Sequence, residues 1–113
     1  MKVEFATRKL QKACEDVRSL SRQWGPLLGP RVGRRLQELA AFETLDDVPT
    51  APPFRRHQLA ADRDEQFAVN LDGKMRLVFD TANDPVPRRP DGGIDLQLVT
   101  AIRILEVVDY HDD

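Results

Sequence analysis

The chain has 113 residues, enough for one domain with a modest core, and a composition of 41% hydrophobic and 32% charged residues excludes an intrinsically disordered segment. No apolar run approaches the roughly 20 residues needed to span a bilayer, and the opening MKVEFATRKL lacks the apolar core of a signal peptide. A cytoplasmic location without membrane association is therefore expected. The formal charge of −2 conceals an asymmetry, because residues 1–36 carry nine Lys/Arg against three Asp/Glu while the remainder is acidic. A basic front half steers toward RNA or an acidic partner; the plainer reading is that amphipathic helices carry solvated Lys and Arg on their outer faces.

Lys2–Ala6 alternates, with Val3 and Phe5 on one side, and predicts a first strand. Thr7 suits a helix N-cap. Beyond it, Leu10, Ala13, Cys14, Val17, Leu20 and Trp24 recur at three- and four-residue spacing, predicting a helix with one apolar face that ends at Gly25-Pro26. Cys14 is the single cysteine, so no disulfide within the chain and no cysteine zinc cluster can form. Its apolar neighbours predict a buried thiol. Gly29-Pro30 predicts the start of a second helix, with Val32, Leu36, Leu39 and Ala40 as its stripe and Gly33 as a weak point. The short connection makes the two helices an antiparallel hairpin.

Leu45 to Pro53 reads as a connector, since Pro49, Pro52 and Pro53 suit neither a helix interior nor a central strand. The periodicity then changes from about 3.6 to 2. Phe67, Val69 and Leu71 alternate, as do Met75, Leu77 and Phe79, with Asp72-Gly73 marking a turn between them. A two-residue Asp72-Gly73 loop would place Lys74 and Arg76 opposite core residues. A three-residue loop, Leu71-Asp72-Gly73 with Gly73 left-handed, pairs odd positions with odd. Phe67, Val69, Met75, Leu77 and Phe79 then share one face, and Ala68, Asn70, Lys74, Arg76 and Val78 share the other. Residues 81–97, with Pro85, Pro87, Pro90 and Gly92-Gly93, read as a long mobile loop inserted between strands. Leu98 to Tyr110 is nearly continuous in Val, Ile and Leu, as in an interior strand covered on both faces. The whole predicts a single α+β domain, 1–113: an N-terminal strand and a helical hairpin packed on a mostly antiparallel β-sheet, whose other face is partly open and carries Arg76.

Three strings carry a family resemblance: Arg56-His57-Gln58-Leu59-Ala60-Ala61-Asp62-Arg63, then Leu71-Asp72-Gly73-Lys74-Met75-Arg76-Leu77-Val78-Phe79, and finally Glu106-Val107-Val108-Asp109-Tyr110-His111. In order and spacing they resemble HigB-like members of the RelE/ParE toxin superfamily, whose corresponding strings run near Leu-His-x-Leu-Lys-Gly, Asn-Gly-Asn-Trp-Arg-Leu-Thr-Phe and Val-Asp-Tyr-His. The resemblance covers the architecture of most of the chain, with detailed motifs only in residues 56–79 and 101–111. It implies the toxin of a bacterial type II toxin–antitoxin system. Such a toxin is a ribosome-dependent mRNA endonuclease, neutralised by a HigA-like helix-turn-helix antitoxin and reaching operator DNA only through that complex. The same fold also hosts gyrase-directed toxins, so fold alone does not fix the target.

Metal-independent RNA cleavage requires activation of the 2′-hydroxyl, stabilisation of the phosphorane charge and protonation of the leaving oxygen. His57 and His111, the two histidines, have the right side chain for proton transfer near neutral pH. Arg76 offers paired N–H donors to the scissile phosphate. Tyr110 can stack on a base or assist proton transfer. The resemblance implies that His57, Arg76, Tyr110 and His111 are catalytic and that Asp109 orients a histidine or binds the ribose; Lys74 joins Arg76 as an RNA contact, and Arg55, Arg56 or Arg63, at a different spacing, are the candidates to bind RNA in place of the family's basic residue. The plainer alternatives are a surface histidine at 57, a tail residue at 111, a core Tyr110 and an Arg76 that only solvates the sheet or pairs with Asp109. Two histidines without ligand spacing argue against zinc, and no cofactor is implied. One departure bears on activity: the family's Leu-Lys-Gly is Leu59-Ala60-Ala61 here, and Met75 replaces an aromatic. Losing one transition-state charge contact can cost on the order of 10²–10³ in rate, which leaves a non-catalytic, antitoxin-binding module as the alternative.

Overall fold

The computed structural model describes residues 1–109; Tyr110 and His111 lie outside the described residues. The elements are β1 (Lys2–Phe5), α1 (Arg8–Ala13), α2 (Val17–Ala41), β2 (His57–Gln58), β3 (Gln66–Asp72), β4 (Met75–Thr81) and β5 (Ala101–Asp109), with short 3₁₀ turns at Leu45–Asp47, Ala61–Arg63 and Leu96–Leu98. The fold is α+β, a long helix on a mixed sheet of order β1-β5-β4-β3-β2. Among the described residues only β1 and β5 pair in parallel, Lys2 opposite Ala101 through Phe5 opposite Ile104. Among the described residues no helix is long and apolar enough to cross a membrane.

The helices differ from the expected pair in their boundaries. Thr7 does cap the first, its side chain accepting the Leu10 N–H, but α1 stops at Ala13. Asp16 then caps a new start by accepting from Ser19 N–H at 2.7 Å. This bond is the leading reason that the Asp16 carboxyl lies below its usual range. A helix N-terminus leaves N–H groups without partners, and an Asp at the cap supplies one while favouring the positive dipole end. The second break is at Gly25, as expected, where φ 88 and ψ 168 take the chain out of helical geometry within α2. The arm after the break begins at Pro26, not at Gly29-Pro30. Pro30 is one turn inside and removes one intrahelical bond there.

The fold-back at Gly25 is close. Gly29 is buried, and a Cβ at that position would lie 2.6 Å from the Leu20 carbonyl oxygen. Gly33, the weak point in the stripe, lies under the Leu20 side chain. Gly29 therefore serves backbone approach, whereas Gly33 makes room for a side chain. Cys14 caps the end of α1, and its burial pushes the thiol up to about 11, so thiolate is scarce near neutrality.

Phe67, Leu77, Phe79, Ile102 and Ile104 from the sheet, Val32 and Leu39 from α2, and Leu45, Val48 and Val99 from connectors form the fully buried core. Phe67 and Phe79 stack with centroids 6.0 Å apart, as their pairing in β3–β4 requires. Odd positions pair with odd, as expected, but the turn is different. Asp72 pairs with Met75 around a two-residue Gly73-Lys74 loop, and the ladder shifts between Asn70 and Asp72. An extra residue in β3 restores the odd parity that a two-residue loop alone would break. Leu71 thereby stays buried in the core at 6% exposure, and Gly73 takes the left-handed φ of 55.

Residues 81–97 form the expected connection between strands, except that Thr81 belongs to β4 and a 3₁₀ turn begins at Leu96; much of the connection packs on the core. Ile94 is buried, Val86 and Leu96 pack on the core, and Arg88 grips both Glu65 carboxylate oxygens at 2.7 and 2.8 Å. That grip holds the Glu65 carboxyl below its ordinary range.

Gly29→Ala should lower the unfolding free energy by about 1–3 kcal/mol, because backbone must move to admit the methyl, despite the better helix propensity of Ala. Gly33→Ala, which meets only the movable end of Leu20, should change it less. Urea denaturation of both variants checks this; a Gly29→Ala protein as stable as the parent would contradict the close approach.

Candidate functional site

The antiparallel register places the candidate residues in rows. His57 pairs with Ala68, Ala68 with Val78, and Val78 with Glu106. The next row runs Asn70, Arg76, Val108. Cross-strand partners point to one side, and so do residues two apart. His57 and Arg76 therefore share the face opposite α2, in adjacent rows. The middle of that face is closed: Ala68 and Val78 are fully buried beneath Leu59, with Leu105 and Val108 packed against them.

At one end of this closed patch lies a cleft of about 410 Å³ lined by Thr50, Pro52, Arg55, Arg56, His57 and Arg76. Among the described residues three arginines and a histidine line it, and no acidic side chain does. Arg76 Nη1 donates to Gly73 O at 2.8 Å and Met75 O at 3.1 Å, fixing the guanidinium at the turn. Nη1 is thus engaged, while among the described residues no hydrogen bond holds Nη2 or Nε. Arg55 is exposed and adopts φ 50, a conformation that is uncommon for a residue with a Cβ. Its carbonyl oxygen lies 3.0 Å from His57 Nδ1. When Nδ1 carries the proton it donates to that carbonyl, leaving the lone pair on Nε2, an atom shielded from solvent.

The cations near the site divide by use. Arg56 is half-buried and donates from Nε to Val48 O at 2.8 Å. Desolvation lowers its pKa, against the opposing pull of Asp46. It clamps the connector and has little freedom for a ligand. Arg63 sits at the other end of β3, donating to Glu106 Oε1 at 2.9 Å and Gln66 Oε1 at 3.3 Å. Ala60, in place of the basic residue that the resemblance implies, is at that same far end, next to Leu59, whose N–H donates to Gln66 O. Lys74 is exposed in the turn. Asp109 pairs with Met75 at the end of β5, a row beyond Arg76, and the pleat directs it to the other face. The structure thus unites His57, Arg76, Arg55 and Arg56, but not Arg63 or Asp109. Among the described residues no group of three or more His, Cys, Asp or Glu is arranged to hold a metal ion.

Sequence reading missed the support beneath the cleft. Arg35 is the one buried charged residue among those described, at 9% exposure. It donates from Nε to Asn70 O at 2.8 Å and from Nη1 to Glu38 Oε1 at 2.8 Å. Its guanidinium carbon lies 4.6 Å from the Phe54 ring centroid. Asn70 N–H in turn donates to Phe54 O at 2.7 Å. The spacing held a signal, because Arg35 is three residues after Val32 and four before Leu39, on the buried stripe of α2. No family model matches this sequence, and no curated protein matches it.

If Arg56 is a clamp and Arg55 a presented cation, alanine substitutions should separate them. Arg56→Ala leaves Val48 O without its donor and should cost about 1–3 kcal/mol of stability. Arg55→Ala should stay within about 0.5 kcal/mol, as an exposed side chain does. Thermal or urea unfolding reads both; equal costs would refute the division.

Proposed function

We propose that this chain is the toxin of a type II toxin–antitoxin system and that its Arg55–His57–Arg76 cleft binds and cleaves single-stranded RNA without a metal. One observation carries the reading. His57 and Arg76, singled out from separate stretches of sequence, line one cleft whose other charged side chains among the described residues are Arg55 and Arg56. A phosphodiester is the ligand chemistry that this clustering of three guanidiniums and an imidazole favours.

In the proposed reaction the RNA 2′-oxygen attacks the adjacent phosphorus. A P–O bond forms to it, the bond to the 5′-oxygen breaks, and a 2′,3′-cyclic phosphate results. His57 takes the 2′-hydroxyl proton. Arg76, aided by Arg55, holds the nonbridging oxygens as negative charge grows on them. The 5′-oxygen leaves with a proton from solvent or from a group outside the described residues. The ribosome would present mRNA, a HigA-like helix-turn-helix antitoxin would silence the toxin, and operator DNA would be reached only through that antitoxin.

A second reading, a binding module that retains the toxin fold without catalysis, also has specific support. Ala60 supplies no charge, Arg63 is spent on Glu106, and His57 Nε2 is shielded. Expression without a neighbouring antitoxin, combined with mapping of mRNA 5′ ends, distinguishes the two. The proposal expects new cleavage sites and arrested growth, with Arg76→Ala reducing cleavage on the order of 10²–10³-fold while remaining folded. Folded protein, normal growth and no new 5′ ends would overturn the catalytic reading. A DNA-damage response without mRNA cleavage would point to a gyrase-directed toxin.

A further inference from the structure

On the helix side of the same β-hairpin lies a second cleft, of about 270 Å³, lined by Arg31, Arg34, Arg35, Glu38, Pro53 and Leu71. We infer that it is a second phosphodiester subsite, with Arg31 and Arg34 extending the track of an RNA strand that starts in the Arg55–His57–Arg76 cleft. The inference rests on the RNA-binding reading above.

The two clefts are neighbours in two ways. Pro52 lines one and the adjoining Pro53 the other, so a single ridge of exposed chain separates them. They also meet at the hairpin turn. Arg31 Nε lies 3.7 Å from Asp72 Oδ2 on one side of the turn, and Arg76 Nη1 lies 2.8 Å from Gly73 O on the other. Lys74, in the turn itself, is exposed. Cations thus run from Arg34 through Arg31 and Lys74 to Arg76 and Arg55.

The chemistry of the second cleft suits a backbone phosphate more than a base. Arg31 and Arg34 are one helical turn apart and both exposed, so they are neighbours on one face of the helix. Arg31 and Asp72 form a long pair, each side chain 56% exposed. Such a pair contributes little to stability, so Arg31 can exchange Asp72 for a phosphate at small cost. Arg34 has no ion pair among the described residues. Arg35 is different: Asn70 O, Glu38 and Phe54 occupy it, and it forms the floor of the cleft rather than a ligand contact. A track of this kind is sequence-tolerant, and its contribution depends on salt and on strand length.

The test uses 2′-O-methyl oligouridine, which has no free 2′-hydroxyl and cannot be cleaved, at about four and about twelve nucleotides, with binding read by fluorescence anisotropy. The longer strand should bind more tightly. Arg31→Ala/Arg34→Ala should weaken the longer strand by about three- to tenfold and flatten its log–log salt slope by about 1.4, as loss of two phosphate contacts predicts for single strands. The shorter strand should bind the double variant as it binds the parent. Arg34→Glu alone should reproduce the selective loss, and matching melting temperatures check folding. Equal binding of the long strand to variant and parent, or equal weakening of both strands, would overturn the subsite while leaving the Arg55–His57–Arg76 cleft standing. Failure of either oligonucleotide to bind the parent protein would overturn both.

Discussion

Arg35 joins the three parts of the fold that make the site. Its Nε–H reaches Asn70 O on the outer edge of β3, its guanidinium lies over Phe54 in the connector, and its own helix supplies Glu38 as counter-charge. Hydrogen bonds to charged groups contribute roughly 1.5–3 kcal/mol, and a carbonyl stripped of its donor costs a similar amount. The strand edge would otherwise be open here, since β2 covers β3 only at Ala68 and Phe67. Asn70 N–H and O are satisfied instead by Phe54 and Arg35. This arrangement sets where residues 50–57 run, and hence where Arg55 and His57 stand relative to Arg76.

The β3–β4 register supplies the other half of the geometry. An even–odd pairing would bury Arg76 against α2 and expose Leu77 and Phe79. The actual pairing puts four core residues inward and leaves Arg76 on His57's side. The bulge and the Gly73-Lys74 turn then bring Gly73 O within reach of Arg76 Nη1, so the feature that preserves the core also aims the arginine. Charges left over from this frame are partitioned. Arg56, Arg63, Arg88 and Arg103 bind protein groups, whereas Arg55 and one side of Arg76 face the cleft.

The sequence carried the parity of the hairpin, the interior place of β5 and the break at Gly25, because each follows from periodicity or from glycine's access to positive φ. The turn length was hidden, because a bulge adds one residue without disturbing the alternation of Phe67, Val69 and Leu71. Asp16 was overlooked as a cap because Val17 and Leu20 continue the stripe of Leu10 and Cys14 across the break. Residues 81–97 looked loose because Pro and Gly dominate them, yet Ile94 and Arg88 anchor them to partners distant in sequence. Of the site, His57 and Arg76 could be singled out by residue type and motif. That Arg56 and Arg63 are occupied could not, since their acceptors, Val48 O and Glu106, are known only once the chain is folded.

In the function we propose, phosphodiesters bind between Arg55, His57 and Arg76. The most direct test is a titration of the protein with a 2′-O-methyl RNA dinucleotide, observed through the arginine Nε–H and histidine ring resonances. Saturable shifts are expected at Arg55, Arg76 and His57, with Arg63, Arg88 and Arg103 unmoved. No saturable shift, or the largest shift at Arg88 or Arg103, would contradict it.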